Sequence, residues 1–238
     1  MKQLLLEGAK QLGIILSDSQ IEQLMKYKLL LQEWNNKINL TAITEEKDVI
    51  TKHFLDCMTI NNAIDMNKQK SVIDIGTGAG FPGLVIKIVF PNIEVTLVDS
   101  LNKRITFLEQ VINELGLTEI NCIHSRAEDL GNNSRYREGF DVCASRAVAN
   151  LAVLSEYTLP FVKVDGYLMA LKGQKLDEEL VQGEKAIEIL GGKLEKVIDA
   201  KVPFTDLNHK IAKIKKVKTT SKKYPRKAGE PTKAPLGV

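Results

Sequence analysis

At 238 residues, with 44% hydrophobic and 26% charged side chains, the chain is long enough for one sizeable core and has an ordinary globular composition. Its net charge of +3 is unevenly placed: residues 210–233 hold ten Lys or Arg against Glu230 alone, so that segment carries +9 and the rest of the chain −6. Leu4-Leu5-Leu6 is broken by Glu7 and Lys10 before a signal or membrane length is reached, and Cys57, Cys122 and Cys143 fit neither zinc spacing nor a disulfide framework. The expectation is a cytoplasmic protein with no membrane segment and no metal, whose cysteines pack as small apolar residues. Charge this segregated points to a polyanionic partner held along one edge, or to a merely solubilising tail.

Residues 1–15 predict an amphipathic helix ending near Gly13, after which Ser17-Asp18-Ser19-Gln20 offers a capping box. The next helix carries Ile21, Leu24, Met25, Leu29, Leu31 and Trp34 and is expected to end among the asparagines of Trp34-Asn35-Asn36-Lys37-Ile38-Asn39. A third runs from about Asp48 to Ile64 with Ile50, Phe54, Cys57 and Met58 on one face. Residues 1–70 are thus read as a helical cap. On the third helix His53 and Asp56 stand three apart, hence on neighbouring positions. Such a pair can serve acid–base chemistry or form a local hydrogen bond.

From residue 71 strands and helices alternate, which argues for a parallel sheet. Strands are expected at Val72–Ile75, Glu94–Val98, Asn121–His124, Phe140–Ser145, Gly166–Leu171, Lys193–Lys201 and His209–Val217, and helices at about 82–90, 102–115, 150–162 and 176–190. The first strand runs into Gly76-Thr77-Gly78-Ala79-Gly80-Phe81-Pro82-Gly83. Glycines there let the backbone take φ > 0 and approach a ligand closely, and Pro82 suits the first turn of the following helix. Strand, glycine turn and helix form a nucleotide-cradling corner. Gly78-x-Gly80-x-x-Gly83 also matches a dinucleotide fingerprint, a weak signal alone. Against NAD, Asp74 sits inside the strand, where it can orient the glycine loop and lie near an amino-acid-like ligand.

Asp74-Ile75-Gly76-Thr77-Gly78-Ala79-Gly80 resembles the first motif of class I S-adenosylmethionine (SAM) methyltransferases. Asp99 and Ser100 end the second strand, 21 residues beyond Gly78, where an acid grips ribose hydroxyls. Glu128, with Ala127 beside it, follows the third strand and suits the adenine edge. After the fourth strand, Ala144-Ser145-Arg146-Ala147 offers neither an Asn/Asp-Pro-Pro-aromatic turn nor an attacking cysteine. An acceptor atom with a free lone pair and no proton to lose, such as guanine N7, fits this absence. Alignment in a dry pocket then supplies the catalysis. Arg146 is the charge projected from that turn, available to a cofactor carboxylate or a substrate phosphate, or to a salt bridge with Asp74 or Glu128.

Further residues extend the likeness over nearly the whole chain: Trp34-Asn35 with Asn39-Leu40-Thr41, His53-Phe54-Leu55-Asp56, Lys103-Arg104, Arg126-Ala127-Glu128, Ser145-Arg146-Ala147-Val148-Ala149, Leu171-Lys172-Gly173 and Tyr224-Pro225-Arg226-Lys227 through Leu236. Together they resemble the bacterial ribosomal RNA small subunit methyltransferase G family, formerly glucose-inhibited division protein B. Cys57 and Ser145 depart mildly from its pattern. The resemblance implies a Rossmann-like seven-stranded class I methyltransferase sheet, its last strand antiparallel beside the fifth, with an N-terminal helical extension. The units are then a cap over 1–70, a SAM-binding core over 71–217 and a basic tail over 218–238.

It further implies SAM-dependent methylation of guanine N7 in 16S rRNA by direct transfer, acting on 16S rRNA or the small ribosomal subunit as a monomer. Carried over onto matching positions, the SAM contacts are Gly76, Phe81, Ala127, Glu128 and Arg146, to which the reading of the glycine loop and strand ends adds Asp74, Gly78, Gly80, Asp99 and Ser100. His53, Asp56 and Arg146 are the catalytic candidates at the active-site mouth. In the tail, Lys222, Lys223, Arg226, Lys227 and Lys233 are expected to neutralise RNA phosphates and Tyr224 to stack on a base. The alternatives are an RNA-binding or assembly protein with a vestigial cofactor pocket and, more distantly, an NAD oxidoreductase.

Overall fold

The strands fall where the alternation places them: β1 Ser71–Ile75, β2 Glu94–Asp99, β3 Ile120–His124, β4 Phe140–Arg146, β5 Val162–Lys172, β6 Gly192–Lys201 and β7 Asn208–Lys216. The computed structural model describes residues 1–146 and 148–237; Ala147, part of the motif around Arg146, and Val238 lie outside the described residues. One seven-stranded sheet runs in the order β3-β2-β1-β4-β5-β7-β6. Strands β1 to β5 pair in parallel, and β7 lies antiparallel between β5 and β6, as the resemblance requires. The order reverses direction between β1 and β4, which opens a crevice at the C-terminal ends of the parallel strands.

Alternate strand residues point to opposite faces. Val72, Val95, Leu97, Val142, Ala144 and Met169 join one apolar cluster, and Ile73, Ile75, Val98, Cys143, Leu168 and Ala170 the other. Helices cover both faces, which explains why these strands are continuous apolar runs.

On the first face lie α5 Gly83–Val89 and α6 Asn102–Leu115, together with the N-terminal helices α1 Lys2–Gln11 and α2 Asp18–Ile38. Their apolar residues form one continuous cluster with the sheet. Ser17 and Gln20 make the expected capping box. The same Gln20 amide also donates to the carbonyls of Ile88 and Val89 at 2.9 and 2.8 Å, tying α2 to the end of α5. Helix α2 runs through Asn35 and Asn36 and stops at Asn39, which takes φ 47° as a left-handed cap.

The third helical stretch departs from regular α geometry. It passes from α3 Glu46–Asp48 through a π segment, Val49–Leu55, into α4 Asp56–Met58 and a 3₁₀ turn, Thr59–Asn62. Wide π turns are rare and gather at functional sites. This one carries His53 and delivers Asp56 at its end.

The second face holds α7 Ala127–Leu130, α8 Leu151–Thr158 and α9 Leu176–Ile189. Helix α8 ends four residues short of the expected 162 because Leu159–Phe161 tightens into a 3₁₀ turn around Pro160, which cannot continue the α ladder. The tail ends in α10, Glu230–Lys233. Tyr224 and Leu236 pack into this second cluster. No described helix is long and apolar enough to cross a membrane.

Candidate active site

The glycine corner is held open by two buried acids. Gly76, Gly78 and Gly80 adopt φ of +71°, +61° and +99°, a region costly for any residue with a Cβ. Asp74 Oδ2 accepts hydrogen bonds from Thr77 Oγ1 at 2.7 Å and Gly83 N at 2.8 Å, pinning both ends of the loop. Its other oxygen is buried and has no hydrogen-bond partner among the described residues. Burial pushes this carboxyl up to about 6, against the pull of its hydrogen bonds. Asp99 accepts from Gly78 N and Leu101 N at 2.9 Å each and pairs with Arg104 at 3.2 Å. A carboxylate has about four acceptor positions, so one remains for a ligand hydroxyl.

In front of the corner lies a cavity of about 640 Å³, within the range of small-ligand sites. Gly76, Gly78, Phe81, Asp99, Ser100, Ala127, Glu128 and Arg146 all line it, as the sequence reading places them. Asp74 and Gly80 do not. Asp74 is fully buried behind the loop, so it orients the corner without touching a ligand. A Cβ on Gly80 would strike Leu84 and the Tyr27 hydroxyl within 2.8 Å, so this glycine serves packing. Tyr27 itself donates to the Ala79 carbonyl, so the N-terminal helices clamp the glycine corner from behind. A Cβ on Gly78 would meet nothing nearer than Gly76 O at 4.0 Å, which leaves space for a ligand against the loop backbone. The corner and its donor set fit the adenosyl cofactor that the sequence implies.

Arg146 closes one wall. Its guanidinium donates to Asp56 Oδ2 at 2.8 Å, to Lys52 O at 3.1 Å and to His53 Nδ1 at 3.0 Å. It also lies 4.9 Å above the Phe81 ring, on which His53 stacks at 4.4 Å. The salt bridge expected with Asp74 or Glu128 is made instead with Asp56. His53 and Asp56 do not bond each other; the π segment turns both toward Arg146. Arginine only donates, so His53 Nδ1 accepts and its Nε2–H faces Thr41 Oγ1 at 2.9 Å. Burial and the neighbouring Arg146 charge push His53 down to about 3. Burial pushes Asp56 up, but His209, bonded through Nδ1 at 2.6 Å, and Arg146 outweigh it and hold the carboxyl below its usual range. These shifts favour a neutral His53 ring and an ionised Asp56, both facing the Arg146 cation.

The basic tail folds back on the protein. Arg226 grips Glu156, a carboxylate 1% exposed, at 2.6 Å. Tyr224 is 8% exposed and its carbonyl accepts from Arg137. Gly229 N donates to Glu128 Oε1 at 3.1 Å, and Thr232 meets the hydroxyl of Tyr157, which lines the cofactor cavity. Tyr224 is therefore unavailable for stacking on a base and Arg226 is spent on Glu156. Lys222, Lys223, Lys227 and Lys233 remain exposed. Part of the charge run lies in β7, where Lys210, Lys213, Lys215 and Lys216 pair with Asp177, Glu195, Asp165 and Glu138.

A second cavity, of about 750 Å³, adjoins the first and shares His53, Arg146 and Val148 with it. Asp56, Lys172, Glu179 and His209 also line it. Sequence reasoning missed Glu179 and His209 as site residues. No local signal marks them, since His209 reaches Asp56 across 153 positions. Lys172 appears in the Leu171-Lys172-Gly173 motif without a role.

Comparison with known proteins fits this geometry. The family model described as GidB, rRNA small subunit methyltransferase G, matches residues 20–208. The chain is 53% identical over 236 residues to the ribosomal RNA small subunit methyltransferase G of Alkaliphilus oremlandii (strain OhILAs), covering 99% of both. It is 50% identical over 234 residues to that of Thermoanaerobacter sp. (strain X514), covering 98% of both. Among solved structures, a mutant MtNAS in complex with S-adenosylmethionine shares the fold at a TM-score of 0.55 and 15% identity, over 83% of this chain and 73% of that one.

Proposed function

This chain belongs to the rRNA small subunit methyltransferase G family, and from that premise we propose that it methylates N7 of a guanine in 16S rRNA with SAM as donor, without a covalent enzyme intermediate. The observation that carries this reading is the pair of adjoining cavities at the sheet's C-terminal edge, one walled by the glycine corner and both sharing the Arg146 wall. When bound, SAM supplies a methyl group on a positively charged sulfur, which a ring nitrogen with a free lone pair takes without releasing a proton.

The chain's own residues suit a transfer that needs alignment and no base. Gly76 and Gly78 present backbone to the cofactor, Asp99 keeps an acceptor position for a hydroxyl, and Ala127 and Glu128 stand where the adenine edge is expected. Phe81, His53 and Arg146 stack into a rigid divider between the two spaces. Alignment of this kind is worth up to roughly 7–11 kcal/mol. Nucleophiles near the fourth strand are out of play. Cys143 is fully buried, which lifts its thiol well above its ordinary range, and Ser145 donates its hydroxyl to Ile75 O at 2.9 Å. Burial likewise pushes Cys57 up to about 12.

The RNA is held by phosphates on the exposed lysines Lys222, Lys223, Lys227 and Lys233. An rRNA substrate is reached in the cytoplasm, where we propose that the chain acts as a monomer. Mass mapping of nucleosides in small-subunit rRNA from cells with and without this chain tests the activity. One 7-methylguanosine should disappear without it. Calorimetry with SAM separates the enzyme from an assembly protein with a vestigial pocket, which would bind RNA and give no heat with SAM.

A further inference from the structure

Lys172 and Glu179 stand in the second cavity, where the methyl transfer itself gives them no task. Lys172 ends β5 with its side chain 7% exposed, and Glu179 of α9 is 24% exposed. The ammonium donates to Ala149 O and lies 2.7 Å from Glu179 Oε2. The two form an ion pair on the cavity wall. An ammonium carries three donors, of which Ala149 takes one and Glu179 another. The cavity wall therefore offers an ammonium with a donor to spare beside a carboxylate with acceptor positions to spare. Asp56, the other carboxylate of this wall, has one oxygen bonded to Arg146 and the other to His209.

A donor beside an acceptor is the complement of one purine edge. Guanine shows the O6 acceptor next to the N1–H donor, whereas adenine shows an amine next to a bare N1. We propose that the second cavity receives the target nucleotide and that Lys172 and Glu179 select guanine there, Lys172 donating to O6 and Glu179 accepting from N1–H. This rests on the reading of the chain as a guanine-N7 methyltransferase and adds which residues recognise the base. A base held by O6 and N1–H keeps the N7 lone pair free for the methyl group. A site built to pair buried polar groups rejects an analogue lacking them far more strongly than an apolar pocket does.

The test is a cycle between protein and nucleotide. Small-subunit rRNA is assembled by ligation with guanosine, inosine or 2-aminopurine riboside at the mapped position, and kcat/KM is measured for the wild type, Lys172→Met and Glu179→Ala. Calorimetry with SAM confirms that each variant is folded; both should bind at wild-type affinity because neither residue lines the first cavity. Inosine keeps O6 and N1–H and should react within a few-fold of guanosine. 2-Aminopurine lacks both and should lose about tenfold or more with the wild type. Each variant should lose about tenfold or more on guanosine and should distinguish guanosine from 2-aminopurine by a smaller factor than the wild type. If either folded variant discriminates by the wild-type factor, the assignment is wrong. A wild-type chain that binds SAM and methylates no guanine overturns the parent reading, and a methylating wild type that treats all three bases alike overturns this one alone.

Discussion

The two adjoining cavities are built in opposite ways. The first is a backbone construction: a run of glycines in left-handed conformations, pinned by Asp74 and Asp99 of the neighbouring parallel strands β1 and β2. The second is a side-chain construction, in which Asp56 is met by Arg146 across 90 positions and by His209 across 153. The contrast teaches where each site is vulnerable. A backbone cradle fails when a Cβ is added, whereas a side-chain cluster fails when one charge is removed.

The largest effect should come from the second construction. Asp56→Ala leaves the Arg146 guanidinium buried without its carboxylate, and removing one partner of a buried pair costs roughly 3–5 kcal/mol. Urea unfolding of the two proteins measures it. A loss below about 1 kcal/mol would mean that Arg146 finds water and that the cluster is not a structural lock.

In the first construction, Gly78→Val places a branched side chain at φ +61°, where none is favoured, and fills the space against the loop. Strain of this kind runs to about 1–3 kcal/mol before any clash with the ligand. SAM affinity by calorimetry should fall about a hundredfold or more while the circular dichroism spectrum is kept. Unchanged affinity refutes the loop assignment.

A smaller effect sharpens the comparison in the tail. Changing Lys222, Lys223, Lys227 and Lys233 to Ala should flatten the salt dependence of RNA binding by about 0.7 log units for each phosphate of single-stranded RNA that is no longer neutralised. Arg226→Ala should lower stability, since it strands Glu156, and leave that slope almost unchanged. If Arg226 carries the slope, the tail must unfold from the protein when RNA binds.

The smallest effect concerns Asp74. Its folded-state value of about 6 stands above the ordinary 3.8, so between these values the folded chain holds a proton that the unfolded chain has released. Stability therefore falls as pH rises through that window. Asp74→Asn keeps an oxygen for Thr77 and Gly83 and carries no charge, so its unfolding free energy should be flatter with pH over the same interval. An identical slope in both proteins would show that Asp74 does not titrate there.

Much of this molecule is legible in the order of its residues. The seven strands, the capping box at Ser17 and the glycine corner depend on period and on local backbone chemistry, which neighbours in sequence supply. Legibility fades where a residue's partner is distant. Tyr224 and Arg226 sit in a run that looks like a solvated basic arm, yet burial against α8 gives Arg226 a carboxylate and removes Tyr224 from solvent. His53 and Asp56 look like a helical pair, yet the π segment separates them and hands both to Arg146.

By itself, the sequence determined the parallel sheet, the positive-φ loop and the acids at the strand ends, because these follow from the spacing of apolar residues and from which residues tolerate a left-handed backbone. The tertiary structure alone decided which charges meet. Lys216 finds Glu138 and His209 finds Asp56 only once β7 lies beside β5, and Arg146 finds Asp56 only once the third helical stretch lies against the end of β4. Ion pairing depends on distance through space and on exclusion of water, and neither is written in the order of residues along the chain.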